Sequence, residues 1–272
     1  MTSTEYVAGL FDLTGHVGII TGGSRGLGFR QVKVLIDAGA TVYNLDLIPH
    51  SDEQMIREGH LIDIRCDVTD ILCGNRISLS PHAFYQVNTE QAERLYGIAK
   101  EFAALQGTER LLDLYCGAGT IGLSMADAAA SVLGVEIVPQ AVENAKENAR
   151  QSGISNAEFL CGDAGTVAQK LEQEQLQPDV IVVDPPRKGC DQNALDAMAK
   201  MQPERIVMIS CHPATAARDC AVLQEMGYVV QKVQPVDLFP GTGHVECVVL
   251  MSERMSALCT RNGSLPSRNG RA

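Results

Sequence analysis

Positive charge, long apolar runs and closely paired cysteines are all in short supply in this 272-residue chain. Lysine and arginine number 22 against 33 aspartates and glutamates, a formal net charge of -11. Backbone binding to nucleic acid depends on Lys and Arg neutralising phosphates, so this balance argues against a large nucleic-acid footprint, although it leaves room for a local basic groove. No stretch approaches the roughly eighteen apolar residues that a membrane helix needs. The opening MTSTEYVAGLFDLTGH has no basic region ahead of a greasy one, so no signal peptide is read there. The expectation is a cytoplasmic protein without a membrane partner. The nine cysteines are odd in number and scattered through apparent strands and helices, and Cys211 and Cys220 stand too far apart for a CxxC pair. Most are expected to be reduced, buried thiols, and no metal site is expected.

Apolar residues make up 45% of the chain and charged residues 20%, ordinary for a globular protein long enough for one large α/β domain or two modest ones. Strand-like and helix-like segments alternate along nearly the whole length, the signature of a mostly parallel sheet with helices on its faces. The pattern starts twice. The first start, HVGIITGGSRGLGFRQVKVLIDAGATVYNLDL, runs from a strand (17–20) through TGGSRGLG into a helix ending at Gly39, then into a second strand (41–45) that ends on Asp46. Glycines 22, 26 and 28 would let the turn approach a pyrophosphate at the helix start, and Asp46 could accept from a ribose diol. The second start, ERLLDLYCGAGTIGLSMADAAASVLGVEIVPQAVENAKENARQSG, repeats the plan with Gly117, Gly119 and Gly122 in the turn and Glu136 at the end of the next strand. A GxGxxG on its own fits either a dinucleotide or S-adenosylmethionine.

Ligands of open α/β sheets sit beyond the carboxyl ends of the strands, so a list of strand ends is a site prediction. That list reads Tyr115 with the glycine turn, Glu136, Asp163, Asp184 in DPPR, and Cys211 in SCHP. Any single acid among them is more simply a helix cap. Five in order are harder to dismiss. Glu136 stands where a ribose-binding carboxylate belongs and Asp163 where an adenine contact would be. Arg187 occupies the position after Asp-Pro-Pro at which enzymes methylating amino groups place an aromatic, which disfavours that chemistry. A helix amino terminus stabilises a thiolate, so Cys211 at a strand end just before a helix is a candidate nucleophile. C5 of uracil cannot attack a sulfonium methyl until a nucleophile has added to C6, and the adduct must afterwards lose its C5 proton to a base. Glu246, an acid inside the otherwise apolar HVECVV, is the candidate base. A Tyr-x-x-x-Lys pair, Tyr96 and Lys100, is the kind of match that occurs by chance.

Two resemblances follow from these residues. TGGSRGLG, Asp46 and CDVTD at 66–70 resemble the amino-terminal part of the short-chain dehydrogenase/reductase family over about 1–70. The resemblance stops after Asp70, so this unit is expected to be a partial Rossmann-like βαβαβ piece, structural or docking in role rather than a working NAD(P) site. From 71 to 254, ISLSPHAFYQVN, LLDLYCGAGTIGLS, VDPPRKG, SCHPATAARD and PVDLFPGTGHVECVVL resemble the catalytic domain of the RNA (uracil-5-)-methyltransferase family, of the bacterial 23S ribosomal RNA type. Seven strands with the last two joined tightly suit a Rossmann-like methyltransferase-type sheet whose final hairpin strand runs antiparallel, as that resemblance also implies. The same resemblance implies S-adenosylmethionine as methyl donor and a uridine C5 in ribosomal RNA as acceptor, with Cys211 as nucleophile and Glu246 as proton acceptor. Gln86, Tyr115, Gly117, Glu136, Asp163 and Asp184 would then bind the donor, and Asp184 would also face the target base. The family usually has Asn after the cysteine, where this chain has His212, and a small RNA-binding barrel upstream, which is not read here; RNA binding is therefore expected to be weak. With Cys66 and Cys73 alone ahead of the catalytic part, no iron-sulfur cluster is expected. The alternatives are an NAD(P)-dependent oxidoreductase built on the first glycine turn and a catalytically idle fusion. The tail 255–272 is expected to be disordered.

Overall fold

Apolar runs, most of them four to six residues long and followed by a glycine or acidic turn, build one parallel and one mostly parallel sheet in the computed structural model. It describes residues 12–46, 48–65, 68–79, 86 and 88–254. The tail 255–272, Cys66 and most of ISLSPHAFYQVN between Leu79 and Asn88 lie outside the described residues. Among those described, no helix is long and apolar enough to cross a membrane.

The first unit consists of β1 (Val17–Thr21), α1 (Gly26–Asp37), β2 (Thr41–Asp46), α2 (Glu53–Arg57) and β3 (Leu61–Arg65), with sheet order β1-β2-β3 and parallel pairing throughout. It is the half-Rossmann arrangement expected from the sequence. Its core is small, centred on Val32, Val42 and Leu61, and Val17 and Ile19 of β1 are 65% and 69% exposed. Gly28 is required, because a Cβ there would run into the Gly22 carbonyl as α1 packs onto the turn.

The second unit opens with a hairpin, β4 (Val68–Leu72) and β5 (Asn75–Leu79), followed by α3 (Thr89–Ala103). This changes the place of CDVTD: Val68, Thr69 and Asp70 are not the end of β3 but the start of β4, paired with β5. The large sheet then follows: β6 (Arg110–Leu114), α4 (Thr120–Met125), β7 (Ser131–Glu136), α5 (Pro139–Gln151), β8 (Ala157–Cys161), α6 (Ala164–Gln173), β9 (Val180–Val183), α7 (Gln192–Lys200), β10 (Arg205–Ser210), α8 (Pro213–Glu225), β11 (Tyr228–Val236) and β12 (Glu246–Glu253). Asn148 of α5 fastens the hairpin to this unit. Its Oδ1 accepts from Ser78 N at 2.7 Å and its Nδ2 donates to the Ala118 carbonyl in the glycine turn at 3.0 Å.

The seven strands run β11-β12-β10-β9-β6-β7-β8. β12 is antiparallel to both of its neighbours, and the remaining pairs are parallel. All four residues of β9, VIVV, are fully buried, as a central strand covered on both faces demands. Apolar clusters fill each face of the sheet, one containing Ile181, Met198 and Leu223, the other Leu95, Leu111 and Val207. The joint between β11 and β12 is looser than the tight hairpin expected, because residues 237–245 intervene. The strand order reverses between β6 and β9, the kind of switch point beside which open sheets bind ligands.

Candidate active site at the switch point

Five parallel strands and one antiparallel strand deliver side chains to the same edge of the large sheet. β6 ends in Leu114 beside Val183 of β9, so the turn starting at Tyr115 and the acid Asp184 leave the sheet as neighbours. The last pair of β10 and β12 is Ser210 with Cys247, so Cys211 and Glu246, the next residue of each, leave this register at the same end, and both line one cavity. Glu246 therefore reaches this edge as the first residue of its strand, while the other groups reach it as the last of theirs. All eight residues singled out from the sequence, Gln86, Tyr115, Gly117, Glu136, Asp163, Asp184, Cys211 and Glu246, line one cavity of about 540 Å³.

The glycine turn is built around strain at its start. Tyr115 is a non-glycine residue with φ +64°, which turns the chain sharply off β6. Gly117 follows at φ +55° with open space where a side chain would stand, so any larger residue would fill the cavity mouth. The Gly117 amide donates to Glu136 Oε2 at 3.0 Å and the Val138 amide to Oε1 at 2.8 Å. A carboxylate offers about four acceptor sites, so Glu136 retains capacity for a diol. Asp163 caps α6, its Oδ1 accepting from the Thr166 amide and hydroxyl, both at 3.0 Å. These bonds hold its carboxyl below the ordinary range. It is thus both the cap that elementary reasoning favours and a cavity wall.

The acids around the thiol oppose its ionisation. Burial, Glu246 and Asp184 push the Cys211 thiol up, while the Arg187 guanidinium, which lines the same cavity, pulls the other way. The thiolate expected from the helix start alone thus meets an opposing field. Burial likewise raises the Glu246 carboxyl, again countered by Arg187. Burial, with Glu246 and Asp113 nearby, pushes Asp184 up to about 8, which shifts it toward its protonated form at neutral pH. His212 does not point its acceptor at the thiol. Its Nδ1 receives the Thr215 amide at 3.3 Å and caps α8, the task an asparagine performs well at such a position.

Among the other residues that line the cavity are Tyr96, Thr120, Arg187 and Phe239. Arg187 had been legible in DPPR only as the absence of an aromatic. Tyr96 is buried with its hydroxyl 3.3 Å from that of Thr120. Lys100 turns away from it to bridge the Ser124 carbonyl and Asp127, which rules out a working tyrosine-lysine pair. Phe239 comes from the long joint before β12, where no local pattern marks it. At the first glycine turn, the Gly23 amide donates to Asn44 Oδ1 at 2.9 Å and the Ser24 amide to Asp46 Oδ2 at 3.0 Å. Amides and acid there satisfy each other inside the unit, a self-closed arrangement rather than one aimed at a dinucleotide. The first strand of that unit and its ribose-type acid are present, but the ligand-facing polarity is turned inward.

Comparison with known proteins gives consistent results. A family model described as tRNA (uracil-5-)-methyltransferase matches residues 33–254. An uncharacterised RNA methyltransferase of Bacillus cereus is 51% identical over 185 residues, covering 68% of this chain and 40% of that protein. The tRNA (uracil-54, C5)-methyltransferase of Pyrococcus abyssi, solved with S-adenosyl-L-homocysteine, superposes with a TM-score of 0.59 at 29% identity, covering 68% of this chain and 44% of that one. A SAM-dependent methyltransferase from Agrobacterium tumefaciens shares the fold, with a TM-score of 0.54 at 20% identity, over 68% of this chain and 70% of that one. The chain spans about 40% of the length of the curated relatives it matches.

Proposed function

The chain belongs to the tRNA (uracil-5-)-methyltransferase family, and on that premise we propose that it transfers a methyl group from S-adenosylmethionine to C5 of a uridine in RNA, by way of a covalent bond between Cys211 and C6 of the uracil. The observation that carries this is the register of β10 and β12, which brings a thiol and a carboxyl to the same end, at the rim of a cavity shared with the glycine turn. The donor supplies an electrophilic methyl on a sulfonium. The residues present fit it: Gly117 leaves a cradle that a side chain would fill, Glu136 keeps acceptor capacity for the ribose, and Gln86, Tyr115, Asp163 and Asp184 complete the wall.

Cys211 Sγ, once ionised, adds to C6, and the electron pair of the C5–C6 double bond moves toward C5 and the O4 carbonyl. Asp184, in the protonated form that its raised pKa favours, can donate a hydrogen bond to that oxygen as negative charge gathers on it. C5 would take the methyl group as the sulfonium's sulfur–methyl bond breaks, the bonding pair staying with the departing thioether sulfur. Glu246 then removes the C5 proton, the C5–C6 double bond re-forms, and sulfur leaves with its bonding pair. The raised Glu246 carboxyl is a stronger base than an ordinary one and so better suited to a carbon acid.

The catalytic part, expected from 71, is assigned to 68–254 because β4 opens it at Val68, and the first unit to the residues ahead of it. The finer substrate reading is a uridine of 23S ribosomal RNA, supported by the motif resemblance; the transfer RNA in the name of the Pyrococcus protein is the competing acceptor. With a net charge of -11, RNA affinity is expected to be low, and flipping a base out of its stack costs a few kcal/mol that contacts must offset. The test is methyl incorporation from labelled S-adenosylmethionine into ribosomal and transfer RNA fragments at saturating concentration, alongside 5-fluorouridine RNA. Fluorine blocks proton loss, so a denaturation-resistant protein-RNA adduct should form with the wild type and not with Cys211→Ala. Donor binding without either incorporation or adduct would refute the reading.

A further inference from the structure

The segment that brings Arg187 to the cavity is held by α8. Arg218 Nη2 donates to the Lys188 carbonyl at 2.9 Å and to the Cys190 carbonyl at 3.4 Å. The same guanidinium grips Asp219 Oδ1 through Nε at 2.8 Å and Nη2 at 2.6 Å. Asp219 is fully buried, and its Oδ2 accepts the Cys190 amide at 2.8 Å. Thr215 donates its hydroxyl to the Arg187 carbonyl at 3.2 Å and to the His212 carbonyl at 2.9 Å. Between these, Gly189 adopts φ +81°, and a Cβ on it would overlap both Arg218 and Asp219. Residues 187, 188, 189 and 190 thus each meet α8. That helix begins two residues after Cys211, so thiol and guanidinium are mounted on one rigid body.

We propose that Arg218 and Asp219 are positioning residues: together they hold the 187–190 segment so that the Arg187 guanidinium stands against the Cys211 sulfur and faces Glu246. The inference rests on Cys211 being the nucleophile, as in the proposed function. Asp184 after β9, Arg187 and Lys188 on the segment and Glu246 on β12 share the cavity with the sulfur, with Cys247 next to Glu246 and His212 at the head of α8; of these, Asp184, Glu246 and Arg187 act on its ionisation. Arg187, which lines the cavity together with the thiol and Glu246, supplies the charge that lowers the thiol's pKa against the two acids. Arginine suits the place because its planar fork keeps its charge at any working pH. A stabilising clamp alone would explain the bonds made by Arg218 and Asp219, but would leave the ionisation of Cys211 untouched.

The experiment is the pH dependence of iodoacetamide alkylation at Cys211, followed by mass spectrometry of the peptide that contains it, on the full chain without RNA. Arg187→Ala and Arg218→Ala should each slow alkylation near neutral pH on the order of threefold to tenfold, a modest effect because Arg187 is solvent-exposed. Each should also move the midpoint upward, and the double variant should be no slower than the slower single. Arg218→Lys, which keeps the charge beside Asp219 but not the fork, is measured in parallel and carries the same expectation should Arg218→Ala fail to fold. A folded Arg218 variant that alkylates like the wild type would overturn the proposal, whether or not Arg187→Ala is slowed. Full additivity of the two singles would do so too. Because no RNA is present, a failed adduct with 5-fluorouridine RNA would sink the proposed function without touching this result.

Discussion

Asp113 gives the sharpest test of the electrostatics beneath the glycine turn. It lies on β6 with no exposed surface; its Oδ2 accepts the Gly122 amide at 2.8 Å, and Oδ1 has no hydrogen-bond partner. Burial, with Glu136 adding to it, pushes this carboxyl from 3.8 to about 7. A carboxyl whose pKa is higher in the folded chain binds its proton more tightly there than in the unfolded one. It therefore costs nothing below the unfolded value, erodes stability as pH climbs from about 4 to about 7, and exerts its full penalty above that. One pH unit is worth about 1.4 kcal/mol, so the three units amount to roughly 4 kcal/mol, an upper bound because the interior relaxes around a charge. Asp113→Asn keeps an acceptor for Gly122 and cannot ionise. Its amide placed at the orphaned position adds a penalty of about 1–3 kcal/mol, but that offset is the same at every pH. Urea unfolding of wild type and variant between about pH 5 and about pH 8 should thus show the variant gaining roughly 2–3 kcal/mol relative to the wild type. Loss of the Asp113 charge also eases the ionisation of Asp184, which it helps to raise, and so acts with the same sign. A stability difference that stays flat across this range would refute the reasoning.

Three further outcomes are expected. Gly189→Ala forces a left-handed backbone on a side chain, at about 1–2 kcal/mol, and displaces the buried Asp219–Cys190 bond, at about 1–3 kcal/mol; urea unfolding should show a loss of about 3 kcal/mol, and a loss under about 1 kcal/mol would contradict the packing described. Glu246→Gln, unable to take the C5 proton, should lower methyl incorporation on the order of 10²–10⁴-fold and leave covalent protein-RNA complex on ordinary uridine RNA, visible on a denaturing gel; in the wild type the acidic limb, where Glu246 is protonated and cannot accept the C5 proton, should lie at a higher pH than for an ordinary carboxyl, since burial raises it. His212→Ala should lose about 1 kcal/mol through the missing α8 cap while His212→Asn does not, and equal stability of the two would show that the cap contributes nothing.

Much of the site could be read in the chain because its chemistry is local. VIVV before Asp184, RIVMIS before Cys211 and the glycine turn after LLDL each announce a buried strand and what stands at its end, and strand ends are where such sheets hold ligands. The hairpin of β4 and β5 was missed for the opposite reason. LIDIRCDVTD resembles one continuous strand and its turn, and only the pairing of Val68–Leu72 with Asn75–Leu79 shows where the second unit begins. Tyr96 and Phe239 left no trace in the sequence as cavity residues, because a helix and a loop deliver them from outside the sheet.

The order of residue types along the chain determined the alternation of strands and helices, the glycine turns and the identity of the reactive groups, since hydrophobic period and backbone freedom act over a few residues. Tertiary structure alone decided which of those groups meet. Strand order brought Tyr115, Asp184 and Cys211 from three distant segments to one edge, and the reversal of β12 turned its first residue, Glu246, toward them. It also decided the sign of the field at the sulfur, where two acids oppose ionisation and one arginine favours it. Electrostatic energy depends on distance through space and on burial, and neither follows from separation along the chain.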